Sequence, residues 1–210
     1  HAQSFNGALL VEPWEINTKQ GKPYQVFTPF WKTIKTMIDV QENWQCPQSL
    51  SAPSRWPESD NLTDFELLPT IPWDECLADA WTPGTVGARA ELNNFLSSRI
   101  SGYQDDRNRP DLRGSSRLSP HLHFGEISIR EVYREAERRA GKNGVLRKSG
   151  DVYLSELGWR EFAHHLLYHF PRTVDEPLRE RFADFPWEKN KAALKKWQRG
   201  ETGYPIVDAG

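Results

Sequence analysis

The sequence predicts a mainly α-helical chain, and three observations carry that prediction. After residue 81 apolar residues recur at helical spacing between clear start and stop signals. Before residue 40 two short apolar runs look like the closing pieces of an α/β unit, and between the two parts lies a proline- and serine-rich stretch without sustained period. At 210 residues the chain is long enough to bury a core as one large or two small domains.

Taken in order, "GALLVE" at residues 7–12 reads as a short buried strand. "YQVFTPFWK" at 24–32 reads as a segment running into a helix over about 31–45, with Trp31, Ile34, Met37 and Ile38 on its apolar positions. Two strands and one helix close no sheet, so residues 1–40 are expected to be the trailing edge of a larger α/β unit, in a chain that starts at histidine. Residues 41–80 are assigned to an interdomain linker, because a loop of that length is unusual inside a compact domain.

Residues 81–210 are assigned to part of a helical domain. Thr82 caps and Pro83 opens a helix carrying Val86, Ala90, Phe95, Leu96 and Ile100 and ending at Gly102. Ser119 followed by Pro120 marks another start, with serine capping and proline at the first helical position. Ser128 and Glu131 form a capping box for a helix stopped at Gly141. Two more run over about 151–170, ended by Pro171, and about 190–199, ended by Gly200; "GYPIVDAG" begins a last one.

A net charge of −2 argues against a uniformly basic nucleic-acid coat, so a polyanion must be met by a local patch. Cys46 and Cys76 cannot make a disulfide framework, and neither a signal peptide nor a membrane-crossing run is present; an intracellular, soluble protein is expected. Trp14, Trp31, Trp44, Trp56, Trp73 and Trp81 read as packing residues, although an excess of large aromatics also suits stacking on flavins or bases.

Three stretches carry candidate chemistry. "GSSRLSPHLHFGEIS" at 114–128 sets the hydroxyls of Ser115, Ser116 and Ser119 at a helix start, where free amides and the dipole favour an anion such as phosphate; an ordinary capped loop satisfies the same signals. Glu156, Trp159 and Arg160 share one helical face, as a carboxylate, an aromatic plate and a guanidinium, or equally as a surface ion pair beside a core aromatic. Arg107, Arg109 and Arg113 are interleaved with Asp105, Asp106 and Asp111, the pattern of a solvated loop or a weak basic patch. His165 and His169 have metal-pair spacing without a convincing third ligand, so they and His121, His123 and His164 are assigned to packing and surface roles.

Together "PYQVFTPFWK", "SRLSPHLHFGEIS", "SELGWREF", "WQRGETGYPIVDA" and Tyr103 resemble the DNA photolyase and cryptochrome family, in family order and over nearly the whole chain. The likeness is to the class I-like photolyases of cyclobutane pyrimidine dimers. It implies the tail of a Rossmann-like α/β antenna domain, a connector, and the first half of the all-helical FAD-binding domain. It places Tyr103, Ser115, Ser116, Arg117, Leu118, Ser119, Tyr153 and Arg160 around FAD. Glu156 and Trp159 become the groups that meet a dimer flipped out of DNA, Arg107 a contact to the DNA backbone, and Trp187 the outermost member of an electron-hopping chain. The implied activity is light-driven repair by electron transfer from reduced FAD, aided by an antenna chromophore of folate or deazaflavin type, in a monomer. A cryptochrome-type receptor and a photolyase for the (6-4) photoproduct are the alternatives. The family's further flavin contacts would follow "GYPIVDA", so this stretch alone is expected to hold FAD poorly.

Overall fold

The computed structural model describes residues 2–3, 6–38, 48–142, 144–186 and 188–209. They divide into two compact units, residues 1–169 and 170–210. Every regular element among them is helical.

The first unit is organised around one long helix, α7 (Gly144–His169), against which α1 (Phe27–Ile34), α4 (Tyr103–Asp106) and α6 (Ile129–Ala140) all pack. A helix surrounded on several sides needs small residues where its neighbours come close. Gly150 supplies one such place against Ala140, and at Gly158 an added Cβ would lie 2.5 Å from the Trp31 ring. Tyr153, Leu154, Leu157 and Phe162 are buried between these contacts. The helix starts at 144 rather than near 151 because its polar first turns are tied down: Arg147 pairs with Asp151 one turn on and with Glu137 of α6 at 2.8 Å.

Several expected elements form. Ser128 caps α6 by accepting from the Arg130 amide, and Gly141 ends it at a φ of 65°. Glu131, the other half of the expected capping box, instead reaches Arg89 of α3 (Gly84–Asn94) at 3.4 Å. α3 starts after Pro83, which takes the cap position itself, so Thr82 makes no side-chain cap. Its buried stripe is Ala88, Leu92, Phe95 and Leu96, while the expected Val86 and Ala90 are exposed; a π-helical turn over Phe95–Arg99 then brings Ile100 inward.

Two expectations near the N-terminus are corrected. Leu9, Leu10 and Val11 are buried as anticipated, yet residues 7–12 form no strand, because the Leu10 amide is taken by the Glu161 carboxylate of α7 at 2.7 Å instead of by another strand. α1 begins at Phe27, earlier than the expected 31, since Pro29 falls in the first turn, where a missing N–H costs nothing. Residues 39–47, with the expected second half of this helix, Trp44 and Cys46, lie outside the described residues. Trp14, Trp56 and Trp73 are exposed rather than packed in a core. In the connecting stretch Asn61 and Asp64 cap one another, and α2 (Glu75–Ala80) is a single short helix.

The N-terminal segment is held to α7 by a row of polar side chains one turn apart. Arg160 donates to the Ala8 carbonyl at 2.9 Å and pairs with Glu161 at 3.0 Å. His165 Nε2 accepts from the Tyr24 amide at 3.1 Å, and His169 Nε2 lies 3.0 Å from the Pro13 carbonyl. Burial pushes Glu161 up to about 7 despite the Leu10 amide and Arg160. Burial and His169 push His165 down to about 4, keeping it the neutral acceptor that the Tyr24 amide requires.

The second unit carries α8 (Lys191–Gln198), where the Asn190 side chain accepts from the Ala192 and Ala193 amides, and α9 (Pro205–Asp208), opened by proline as expected. The Asp208 carboxylate ties the turn between them by accepting from the Thr202 and Gly203 amides at 2.8 and 2.9 Å.

Candidate functional site

The loop 114–118 leads into α5 (Ser119–His123). Gly114 fixes where the loop begins: a Cβ there would lie 2.5 Å from the Asp106 carbonyl oxygen at the end of α4. Leu118 anchors its far end in the core. Between them Ser116 Oγ accepts from the Leu118 amide at 3.4 Å, and Arg117 adopts a left-handed φ of 56°. The expected capping by Ser119 is corrected: Leu118 occupies the cap position, no side chain caps the helix, and α5 is only five residues long. The Ser119 and Ser115 side chains are exposed, free of intramolecular bonds, as the expected capping role would not have left Ser119.

Arg117 is engaged within the chain. Its guanidinium donates to the Ala80 carbonyl at 3.0 Å and stacks 4.3 Å from the centre of the Trp81 ring. Trp81 in turn meets the edge of buried His121, whose Nδ1 lies 2.5 Å from Glu126. This clasp holds the loop's shape, and nothing in the sequence announced it, because Trp81 and Arg117 lie 36 positions apart without a shared motif.

Beside the loop the structure gathers five of the expected residues into a continuous patch. Tyr153 of α7 is 2% exposed and packs edge-on to Tyr103 at 5.2 Å, both against Phe95. Its hydroxyl makes no hydrogen bond of normal geometry; burial raises its pKa, and the nearby Ser116 hydroxyl lowers it only partly. Tyr103 is raised for the same reason, with the Arg107 charge opposing. Arg107 lies 5.8 Å from the Tyr103 ring and forms an ion pair with Glu156, which raises the arginine's pKa. Buried Ser149 seats α4 at the base of the patch by donating to the Ser101 carbonyl at 2.9 Å.

One turn along α7, Trp159 is 45% exposed and stacks on Phe27 with ring centres 3.6 Å apart and planes 10° from parallel. The expectation that Arg160 joins the serine loop is not carried by this geometry. Its neighbour Glu161 is 3% exposed and needs a compensating cation, so the guanidinium is committed to Glu161 and Ala8. Trp187 lies outside the described residues. His165 and His169 pack, His123 and His164 are exposed, and no group of three or more His, Cys, Asp or Glu side chains among the described residues is arranged to hold a metal ion.

Exposed serine hydroxyls beside an unpartnered buried tyrosine hydroxyl fit the donor needs of a phosphate-bearing, flat-ringed cofactor such as FAD. Residues 153–210 match the family described as "FAD binding domain of DNA photolyase", and residues 1–49 match "DNA photolyase". The deoxyribodipyrimidine photo-lyase of Agrobacterium fabrum is 41% identical over 212 residues, covering 99% of this chain and 43% of the relative. Cryptochrome-2 of Arabidopsis thaliana is 34% identical over 218 residues, covering 99% and 36%. The crystal structure of a bacterial class III photolyase from Agrobacterium tumefaciens superposes with a TM-score of 0.85 at 39% identity, over 98% of this chain and 42% of that one. A Synechocystis cryptochrome superposes at 0.71 and 26% identity, over 97% and 43%.

The chain belongs to the photolyase/cryptochrome family. It spans less than half the length of these curated relatives. No described helix is long and apolar enough to cross a membrane.

Proposed function

We propose that this chain is part of a flavin-dependent photolyase that repairs cyclobutane pyrimidine dimers in DNA. The observation that supports it best is the succession along α7, three residues apart, of buried Tyr153, ion-paired Glu156 and half-exposed Trp159. Ser115, Ser116 and Ser119 would hold the FAD phosphates with their hydroxyls. Tyr103 and Tyr153 would line the cofactor's pocket, and Arg117 and Leu118 would fix the loop that presents the serines. The chemistry that reduced FAD supplies when bound is a light-driven electron for the dimer, returned after the ring opens. The family resemblance adds an antenna pigment of folate or deazaflavin type.

On the other side Trp159 offers a flat wall to a pyrimidine turned out of the duplex, and a dimer, already badly stacked, costs less to turn out than a sound base. Glu156 accepts from the pyrimidine's N–H edge. As it does so it releases Arg107, which then takes a DNA phosphate, a contact that positions the backbone without reading sequence. An exchange of one ion pair for two ligand contacts leaves neither charge unpaired.

The test is light-dependent restoration of a dimer-containing oligonucleotide by the complete gene product that carries this chain. Glu156→Ala is expected to lower the repair yield about tenfold while bound flavin absorbance stays unchanged. Loss of flavin in that variant moves Glu156 from lesion to cofactor. Restoration of the (6-4) photoproduct alone, or of neither lesion, overturns the proposal in favour of the other photolyase or of a receptor.

A further inference from the structure

"YQVFTPFWK" marks the family in the sequence, yet the function proposed above gives none of its side chains a role. In the fold it supplies the support beneath Trp159. Pro29 starts α1 so that Phe27 stands in its first turn, with Trp31 one turn later on the same side. Trp31 lies where Gly158 has no side chain, which seats α1 on α7 beside residue 159. Phe27 and Trp31 are stacked with planes 11° apart, Phe27 and Trp159 with planes 10° apart, and Lys35 Nζ sits 5.5 Å from the Trp31 ring centre. Of these rings, only the Phe27–Trp159 pair is in face-to-face contact, at 3.6 Å between ring centres; Trp31 lies parallel but offset, its centre 6.3 Å from that of Phe27.

We propose that Phe27 is a positioning residue for Trp159: it covers one face of the indole, fixes its plane, and leaves the opposite face for a turned-out pyrimidine. The inference rests on the lesion-site reading of Trp159. Phe162 meets the indole edge-on at 5.9 Å, and with Phe27 on one face Trp159 remains 45% exposed. An unsupported indole on a helix surface has several rotamers, and each base that stacks must first select one. A parallel ring at van der Waals distance removes that choice beforehand.

The experiment measures, in the dark, binding of the flavin-loaded full gene product to dimer-containing and to undamaged oligonucleotides by fluorescence anisotropy. Phe27→Leu, apolar but not flat, is expected to weaken binding of the dimer-containing strand about fivefold and to leave undamaged DNA unchanged, whereas Phe27→Tyr stays within about twofold of the parent. Trp159→Ala is expected to cost about thirtyfold, the scale of one base stacked on an aromatic ring. Adding F27L to W159A then costs nothing further. Thermal melts followed by circular dichroism accompany each variant, and Phe27→Met serves as the non-planar probe if F27L melts early. The inference is overturned if both non-planar variants bind like the parent, or if F27L carries the same penalty with and without Trp159. Parent-like binding by W159A removes the lesion-site reading, and the inference falls with it.

Discussion

α7 has two seams of opposite character. Towards residues 8–24 its side chains Arg160, Glu161, His165 and His169 are spent on the backbone of the same chain, at 2.7–3.1 Å. Towards the serine loop Tyr153 keeps an unpartnered hydroxyl, and Ser115 and Ser119 face outward. The first seam is answered largely by the chain's own backbone, with the buried His165 Nδ1 left over, whereas the second leaves the buried Tyr153 hydroxyl over beside outward-facing serines, the arrangement expected where stability is set aside for binding. Polar residues on one helix therefore divide by what answers them rather than by type.

The contrast breaks most visibly at Glu161. Glu161→Leu leaves Arg160 without its carboxylate and the Leu10 amide without an acceptor, and is expected to lower unfolding free energy by about 2 kcal/mol in denaturant titration. Replacing both members, R160L with E161L, should recover part of that loss, because no uncompensated charge then remains.

A smaller effect lies in the pH dependence of the same seam. The Glu161 carboxyl is raised to about 7 from 4.5, so the folded chain binds this proton more tightly than the unfolded one. Its contribution is complete below pH 4.5 and disappears as pH rises towards 7. His165 runs the other way: lowered to about 4 from 6.5, its contribution is present above 6.5 and lost as pH falls towards 4. Glu161→Gln should delete the first slope and expose the second, read as melting temperature against pH.

The smallest expected change carries the opposite sign. Tyr153→Phe removes an unsatisfied buried oxygen and should stabilise the chain by about 1 kcal/mol while weakening flavin retention. Destabilisation by Y153F would show that the hydroxyl is answered within the protein, and the two seams would then be alike.

What the sequence made legible follows chemical locality. Ser128 and Gly141 bound α6 and Asn190 and Gly200 bound α8 because caps act within a few residues of the signal that announces them. That Glu156, Trp159 and Arg160 sit on one helix was readable from spacing, but Glu156 pairs with Arg107 while Arg160 turns to Glu161 and Ala8. Residues answered from afar were not readable: His165 and His169 displayed helical spacing, but their partners are the backbone of Tyr24 and Pro13, which no periodicity reveals. For the same reason Leu10 looked like a strand residue when its amide had a carboxylate waiting, and Arg160 was read as a partner of Glu156 or of a cofactor when Glu161 and Ala8 held it. Arg107 and Glu156 were each singled out, but their ion pair spans 49 positions.

Gly114 carries a last consequence. With no room for even a methyl group between it and the Asp106 carbonyl, the strand of hydroxyls is moored at its root before any visitor arrives. Any docking there would cost little further loss of chain freedom, whereas alanine at 114 would lift the whole finger from its bed and leave a shape to be rebuilt on each encounter.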